Sequence, residues 1–417
     1  MKRLLLLCLV LALSSEIVNG QSRPLSWFLQ QAYNHDPQIA TSQRNEKIAR
    51  IGKQINHAMF RKPVLSGDGL ALWAPGTSTW GFSKSITNGG EYDALLNVRY
   101  PLWQGNNLKA YDMVSTAREK RANSNVLFRK HDLRMQVTNA YIQIYGDQQN
   151  ISYLNGLHKL LREQLNQLNS LVQGGLIKIT DLKQISLEDS QIQIQIKSAI
   201  NQLSQDQVSL NQLCGLPDTT GYQVNEPLIS PNIKPDSLVN TNSSRFLRSF
   251  SIDSLGLSAQ QKVQDTQYLP QLNALVNAGL SSASLRNADH SLGFTAGLQL
   301  SWKLWDGGQK SLQHQQTELD LENVRDQKSF EKIRIYQQRN SLQKTLQALR
   351  DQIDQQEQQV NGYRNLLDTY RTEIDKGIRP VTDYVTVFRQ YLNSKNTLNT
   401  LQIQRLQTIN ELNYWNW

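Results

Sequence analysis

Two hydrophobic periods divide this chain. A period of two marks short stretches, and steps of three and four mark very long ones. Along 92–102 the even positions are Tyr92, Ala94, Leu96, Val98, Tyr100 and Leu102, while Asp93, Asn97 and Arg99 are among the odd ones. Along 294–304 the even positions are Phe294, Ala296, Leu298, Leu300, Trp302 and Leu304, set against Thr295, Gly297, Gln299, Ser301 and Lys303. Each stretch predicts a strand with one apolar face, aromatic near its end, and one polar face. An apparent partner precedes each, at 63–74 and at 270–282, where Leu272, Ala274, Val276, Ala278 and Leu280 share a face. The links between partners are polar and read as surface loops. Two hairpins of two strands result.

The other period predicts helices. No proline occurs from Asn107 to Gln173, which allows roughly 100 Å of helix at 1.5 Å per residue. A mate of equal length spans 309–375. Its apolar positions include Leu342, Leu346, Leu349, Ile353, Val360, Tyr363, Leu367, Tyr370 and Ile374, interrupted at Gln356. Ile151, Leu154, Leu161, Leu165, Leu168 and Val172 keep the same spacing in the first helix. This is a coiled-coil seam. The other faces are rich in Gln, Asn, Ser and Lys and read as solvated. Further helices are predicted at about 25–60 and 246–268, each ahead of a hairpin.

One fixed shift of 202 residues superposes 92–211 on 294–413 without a gap. Tyr100 meets Trp302, Trp103 meets Trp305 and Gly105 meets Gly307. The chain is a duplicated unit of strand, turn, long helix, corner and long helix. The corners 174-GGLIKITD-181 and 377-GIRPVTD-383 repeat as well. Glycine ends one helix there. Thr180 is then placed to cap the next, with Asp181 in its first turn; Thr382 and Asp383 are the counterparts. The domains predicted are a leader at 1–20, a first repeat at 21–214, a connector at 215–245 and a second repeat at 246–417.

The leader carries Lys2 and Arg3, the apolar run 4–15, and small residues Val18 and Gly20 before Gln21, the form of a cleaved secretory signal. Cys8 lies inside the run without a lipobox. Cys214 is then the one remaining cysteine, so no internal disulfide is expected. No later segment is apolar enough for a membrane helix, whereas a strand of about 10 residues with aromatic ends suits a membrane barrel. Four strands cannot close one, since about eight are needed, so several chains would have to share it. The net charge of +9 is spread along the helices. Aromatics do not interleave with it, which argues against nucleic acid. His35, His57, His131, His158, His290 and His314 show no metal-ligand spacing, and no nucleophile elbow or phosphate loop occurs. No cofactor, metal or catalytic residue is expected.

With its duplicated order of helix, hairpin, long helix, Gly-x-x-x-x-Thr-Asp corner and long helix, the chain resembles the TolC-type outer-membrane efflux channels. The corners 175-GLIKITD-181 and 377-GIRPVTD-383 and the turns 102-LWQG-105 and 304-LWDG-307 carry the likeness. The resemblance implies an α+β membrane protein, a homotrimer whose four strands per chain close a 12-strand β-barrel above a 12-helix periplasmic tunnel. It implies a non-enzymatic exit duct of a tripartite efflux or type I secretion system. The partners implied are a periplasmic adaptor (membrane fusion) protein, an inner-membrane pump and outer-membrane lipid. Gly175, Leu176, Thr180, Gly377, Ile378 and Thr382 would form the adaptor-docking tips. The gate would be Asp181, Arg379 and Asp383, with an Asp181–Arg379 latch and a ring of Asp383 carboxylates selecting cations. Two positions depart from the family. Its second acidic ring position is Thr386 here, and a tyrosine that supports the latch is Ile374. The other reading is a periplasmic or secreted structural coiled-coil protein, with the hairpins packed on a soluble core.

Overall fold

The computed structural model describes residues 22–74, 80–81, 90–174, 178–217, 221–232, 244–284, 290–376 and 378–417. The leader 1–20 and much of the connector 215–245 lie outside the described residues. In chain order the elements are β1 (Ser22–Arg23), α1 (Leu25–His35), α2 (Pro37–Arg61), β2 (Val64–Trp73), β3 (Gly90–Trp103), α3 (Asn107–Gln173), α4 (Ile179–Cys214) and β4 (Gln223–Val224). They continue as α5 (Arg245–Thr266), β5 (Gln271–Ser282), β6 (Leu292–Ser301), α6 (Gln309–Asp375) and α7 (Val381–Trp415).

The single helix predicted over 25–60 is two. Pro37 lacks the amide that would continue α1, and a residue before proline favours extended backbone. Asp36 adopts it, at φ −66° and ψ 118°. Its Oδ1 then accepts from the Ile39 amide at 2.7 Å, capping α2. Arg129 Nη2 donates to Asp36 Oδ2 at 2.6 Å. Burial pushes the Asp36 carboxyl up, but Arg129 and the Ile39 amide outweigh it and hold it below the usual carboxylate range.

The chain forms two compact units, and each draws on both repeats: 1–40, 127–244 and 332–417 in one, 41–126 and 245–331 in the other. The first unit holds two cores. One gathers Phe28, Leu133, Val137, Tyr141, Leu210, Cys214 and Tyr222. Tyr141 also ties down the strand pair β1–β4, donating to Arg23 O at 3.1 Å and accepting from the Asn225 amide at 3.0 Å. Burial pushes the Cys214 thiol up to about 12, so the thiol is an inert part of this core. The second core joins the two long hairpins, with Leu154, Leu161 and Leu168 of α3, Ile185 of α4, Leu367 of α6, and Val385, Phe388 and Leu392 of α7.

The second unit holds one antiparallel sheet in the order β2-β3-β5-β6. Its register puts every predicted apolar row on one side, because paired residues share a face. Across the sheet Leu65 pairs with Val98, Val98 with Val276, and Val276 with Ala296. Leu96 pairs with Ala278, and Ala278 with Phe294. The opposite side runs Ser66, Asn97, Asn277 and Thr295. A bulge at Pro101/Trp103 turns Trp103 onto the face of Leu272, so this aromatic joins the apolar side despite its odd number. The outer strands β2 and β6 are exposed along their whole length, and among the described residues each is paired on one side only.

The strand pattern over 294–304 overshoots, for β6 ends at Ser301. Trp302 Nε1 instead donates to Tyr268 O at 3.2 Å. Asp306 then accepts from the amides of Gly308 and Lys310 at 3.0 and 2.7 Å, which starts α6. Gly307 and Gly308 make that turn at φ +68° and +87°, a region that glycine enters without strain. Among the described residues no helix is long and apolar enough to cross a membrane.

Candidate gate at the helix turns

Two helical hairpins of the first unit, α3–α4 and α6–α7, end in the repeated corners. Gly175, Leu176 and Gly377 lie outside the described residues, as do the side chains of Asp181 and Thr382. The expected threonine caps are absent where the structure can be read. The residue before α4 is Lys178, extended at φ −74° and ψ 140°, with no side-chain cap. Thr180 is therefore the second residue of the helix. The residue before α7 is Pro380, at φ −71° and ψ 144°, also without a side-chain cap. Thr382 is again the second helical residue. The cause is the extended backbone, which ends at Lys178 and at Pro380, two residues before the threonines, so each threonine falls inside its helix. The acidic residues do keep their place: Asp383 is in the first turn of α7, and its amide donates to Pro380 O at 3.2 Å. An anion there suits the helix dipole.

Arg379 is the best-anchored side chain of the second corner. Its Nε donates to Glu373 Oε2 at 2.5 Å, and its Nη1 to Asp383 Oδ2 at 3.4 Å. Its guanidinium carbon lies 4.0 Å from the centre of the Tyr370 ring. The hydrogen bond that Arg379 donates to Glu373 raises the Arg379 pKa above its ordinary value. One guanidinium thus ties the end of α6 to the start of α7. Ile378 beside it is 72% exposed and free to meet a partner.

The family resemblance offers Arg379 an acceptor in Asp181, whose side chain lies outside the described residues, and does not point to Glu373 or Tyr370. Tyr370 lies one helical turn before Ile374, so an aromatic still supports the arginine, from a different position. The detectable signal was an acidic and an aromatic residue in the last two turns before the glycine. Thr386 is exposed on α7 and brings no carboxylate.

The hairpins are cross-tied farther from the corners. Arg389 of α7 donates from Nε to Glu188 Oε2 of α4 at 3.1 Å. His158 of α3 meets the buried Asp189 of α4 at 2.5 Å, and Gln193 donates to the same carboxylate at 2.9 Å. Tyr384, Phe388 and Tyr391 stack along α7. Among the described residues no group of three His, Cys, Asp or Glu side chains could hold a metal ion. The arrangement can brace helices and present charge.

A family model described as outer membrane efflux protein matches residues 253–414. The chain is 24% identical to the outer membrane protein TolC of Salmonella enteritidis, over 99% of this chain and 85% of that protein. The fold is shared with the outer membrane protein VceC of Vibrio cholerae, at a TM-score of 0.74 and 15% identity, covering 94% of this chain and 95% of VceC. It is also shared with a membrane protein of Pseudomonas aeruginosa, at a TM-score of 0.77 and 13% identity, covering 94% and 92% of the two chains.

Proposed function

We propose, from the premise that this chain belongs to the TolC-type outer-membrane efflux family, that three copies of it build one duct. The chain is an outer-membrane exit duct, and the family is one of conduits. In our reading each copy gives four strands to a 12-strand barrel and four long helices to a 12-helix tunnel in the periplasm. A periplasmic adaptor docks at the helix turns, and an inner-membrane pump supplies the energy of an efflux or type I secretion system.

The observation that carries this reading is the sheet. Its apolar face is continuous across four strands, and both of its outer strands want partners. Apolar surface of this kind is stable against lipid. Unpaired edges inside a membrane are not, because no water satisfies their amides. Further copies of the same sheet remove both edges at once. A secreted coiled-coil protein would leave that face and those edges in water, where they promote aggregation.

The turns supply the closure. Arg379 and Asp383 hold the end of α6 against the start of α7, and Asp181 is the further acceptor offered to Arg379 in the closed state. Three Asp383 carboxylates around one axis would favour cations at the mouth. The test is native mass spectrometry and single-channel recording on the purified protein in lipid nanodiscs and planar bilayers. A three-chain mass with unitary, cation-selective steps is expected. A monomer that stays soluble without detergent and conducts nothing would end the duct reading.

A further inference from the structure

Arg339 interrupts the buried seam of α6. Ile335, Leu342, Leu349 and Ile353 line that seam at 0, 7, 7 and 8% exposure. Arg339 falls between the first two, at steps of four and three that repeat along a coiled-coil face. It is itself only 3% exposed. Its Nε and Nη2 are buried and meet no acceptor among the described residues. One turn on, the buried Nε2 of Gln343 is equally without an acceptor. Residues four apart lie on one side of a helix.

Two polar side chains of α7 at this level are engaged elsewhere. Glu411 of α7 accepts from Gln338 at 3.0 Å and makes no ion pair with Arg339 among the described residues. Asn410 donates to Met135 O and to Asn139 Oδ1, at 2.9 and 2.8 Å. The first repeat shows what these seam positions take when packing alone decides. A shift of 202 brings Arg339 onto Val137 and Gln343 onto Tyr141, at 0 and 1% exposure. The second repeat has exchanged two core residues for three orphan donors.

A buried guanidinium cannot relieve its charge by losing a proton. Unpaired, it carries a desolvation cost that packing does not return. Water is a poor answer, since each molecule brings two hydrogens that need acceptors, and the orphan atoms here are all donors. An anion accepts from all of them. One uncompensated charge calls for a monovalent species, and a seam between packed helices calls for a small one. We propose that Arg339 and Gln343 hold a small monovalent inorganic anion of the halide class within the α6 seam. The site is independent of whether the chain conducts.

Bromide is the probe. Crystals of the full purified protein soaked in bromide should show an anomalous peak in hydrogen-bonding range of Arg339 Nε and Nη2. The peak should vanish in Arg339→Met, which refills the seam, and weaken in Gln343→Leu, which keeps the charge. In solution, replacing chloride with the bulkier gluconate at equal ionic strength should lower the wild-type Tm by about 2 °C or more, and leave Arg339→Met unmoved. If Arg339→Met does not fold, Gln343→Leu should show a smaller Tm response to the anion than wild type, and an equal response would count against the site. Wild-type crystals with no bromide, and a water or a protein acceptor on the guanidinium instead, would overturn the site. So would a wild-type Tm indifferent to the anion.

Discussion

Arg379 reaches back six residues to Glu373 across the corner between α6 and α7, at 2.5 Å, and forward four residues to Asp383 at 3.4 Å. One cation is shared by two carboxylates and stacked on Tyr370. Removing it frees both carboxylates to repel each other and unties the two helices. Arg379→Ser should raise the single-channel conductance several-fold and sensitise cells to large antibiotics. Equal conductance and unchanged sensitivity at equal expression would remove Arg379 from the gate.

Asp383 should set ion preference rather than closure. Its neutral isostere Asp383→Asn keeps the first-turn geometry of α7 but gives up the charge. Cation selectivity and block by multivalent cations from the periplasmic side should both weaken. A reversal potential identical to wild type would show that the charge at the mouth comes from elsewhere.

The sheet predicts a sharp asymmetry between its faces. Val276 sits mid-strand between Val98 and Ala296 on the apolar face, while the adjacent Asn277 pairs with Asn97 and Thr295 on the polar one. Val276→Arg should cost about 2–4 kcal/mol of insertion free energy, the range for a charge at mid-bilayer on a lipid face. Asn277→Arg should insert nearly as well as wild type. Folding into lipid vesicles, followed by heat-modifiable mobility on gels, measures both. Equal insertion of the two variants would contradict the assignment of faces.

Asp147 of α3 is partly buried and lies close enough to Asp206 of α4 for the second carboxyl to oppose its ionisation. Burial first, and then the neighbouring carboxylate, raise the Asp147 pKa from its ordinary value to about 7. A carboxyl raised in the folded state stabilises the fold while it keeps its proton, and the contribution is lost as pH rises through about 7. The Tm should therefore fall between pH 5 and pH 8, windows that bracket this pKa. Asp147→Asn, which stays neutral, should flatten that fall. Parallel pH profiles for the two proteins would refute the pairing.

Asp36 behaves in the opposite sense. Its carboxyl is held low, so its contribution is present at neutral pH and is lost on acidification through the folded pKa. Arg129→Ala leaves this buried carboxylate without its cation and should cost about 3 kcal/mol. Denaturant unfolding of the variant against wild type at neutral pH reads the difference, and a cost near zero would show the pair to be ornamental.

How much of this was legible beforehand follows from the range of the interactions. The 202-residue shift, the two-residue alternation and the long proline-free seams already determine four strands, their apolar side and the two long helical hairpins. These are local properties, because a strand alternates faces and a helix repeats every few residues whatever surrounds it. Asp383 at a helix start was legible for the same reason. The break at Asp36-Pro37 was also written in the chain, but its cap became visible only with the Ile39 amide in place. Register, partner choice and exposure were decided by the tertiary structure alone. The bulge that turns Trp103 to the apolar side depends on β5. The pairing of Arg379 with Glu373 depends on how the α6–α7 corner folds. Arg339 looks in sequence like one more solvated base on a charged helix. Only the packing of its seam shows it buried with no acceptor on Nε and Nη2 among the described residues, since burial and charge compensation are settled between elements and leave no period in the chain.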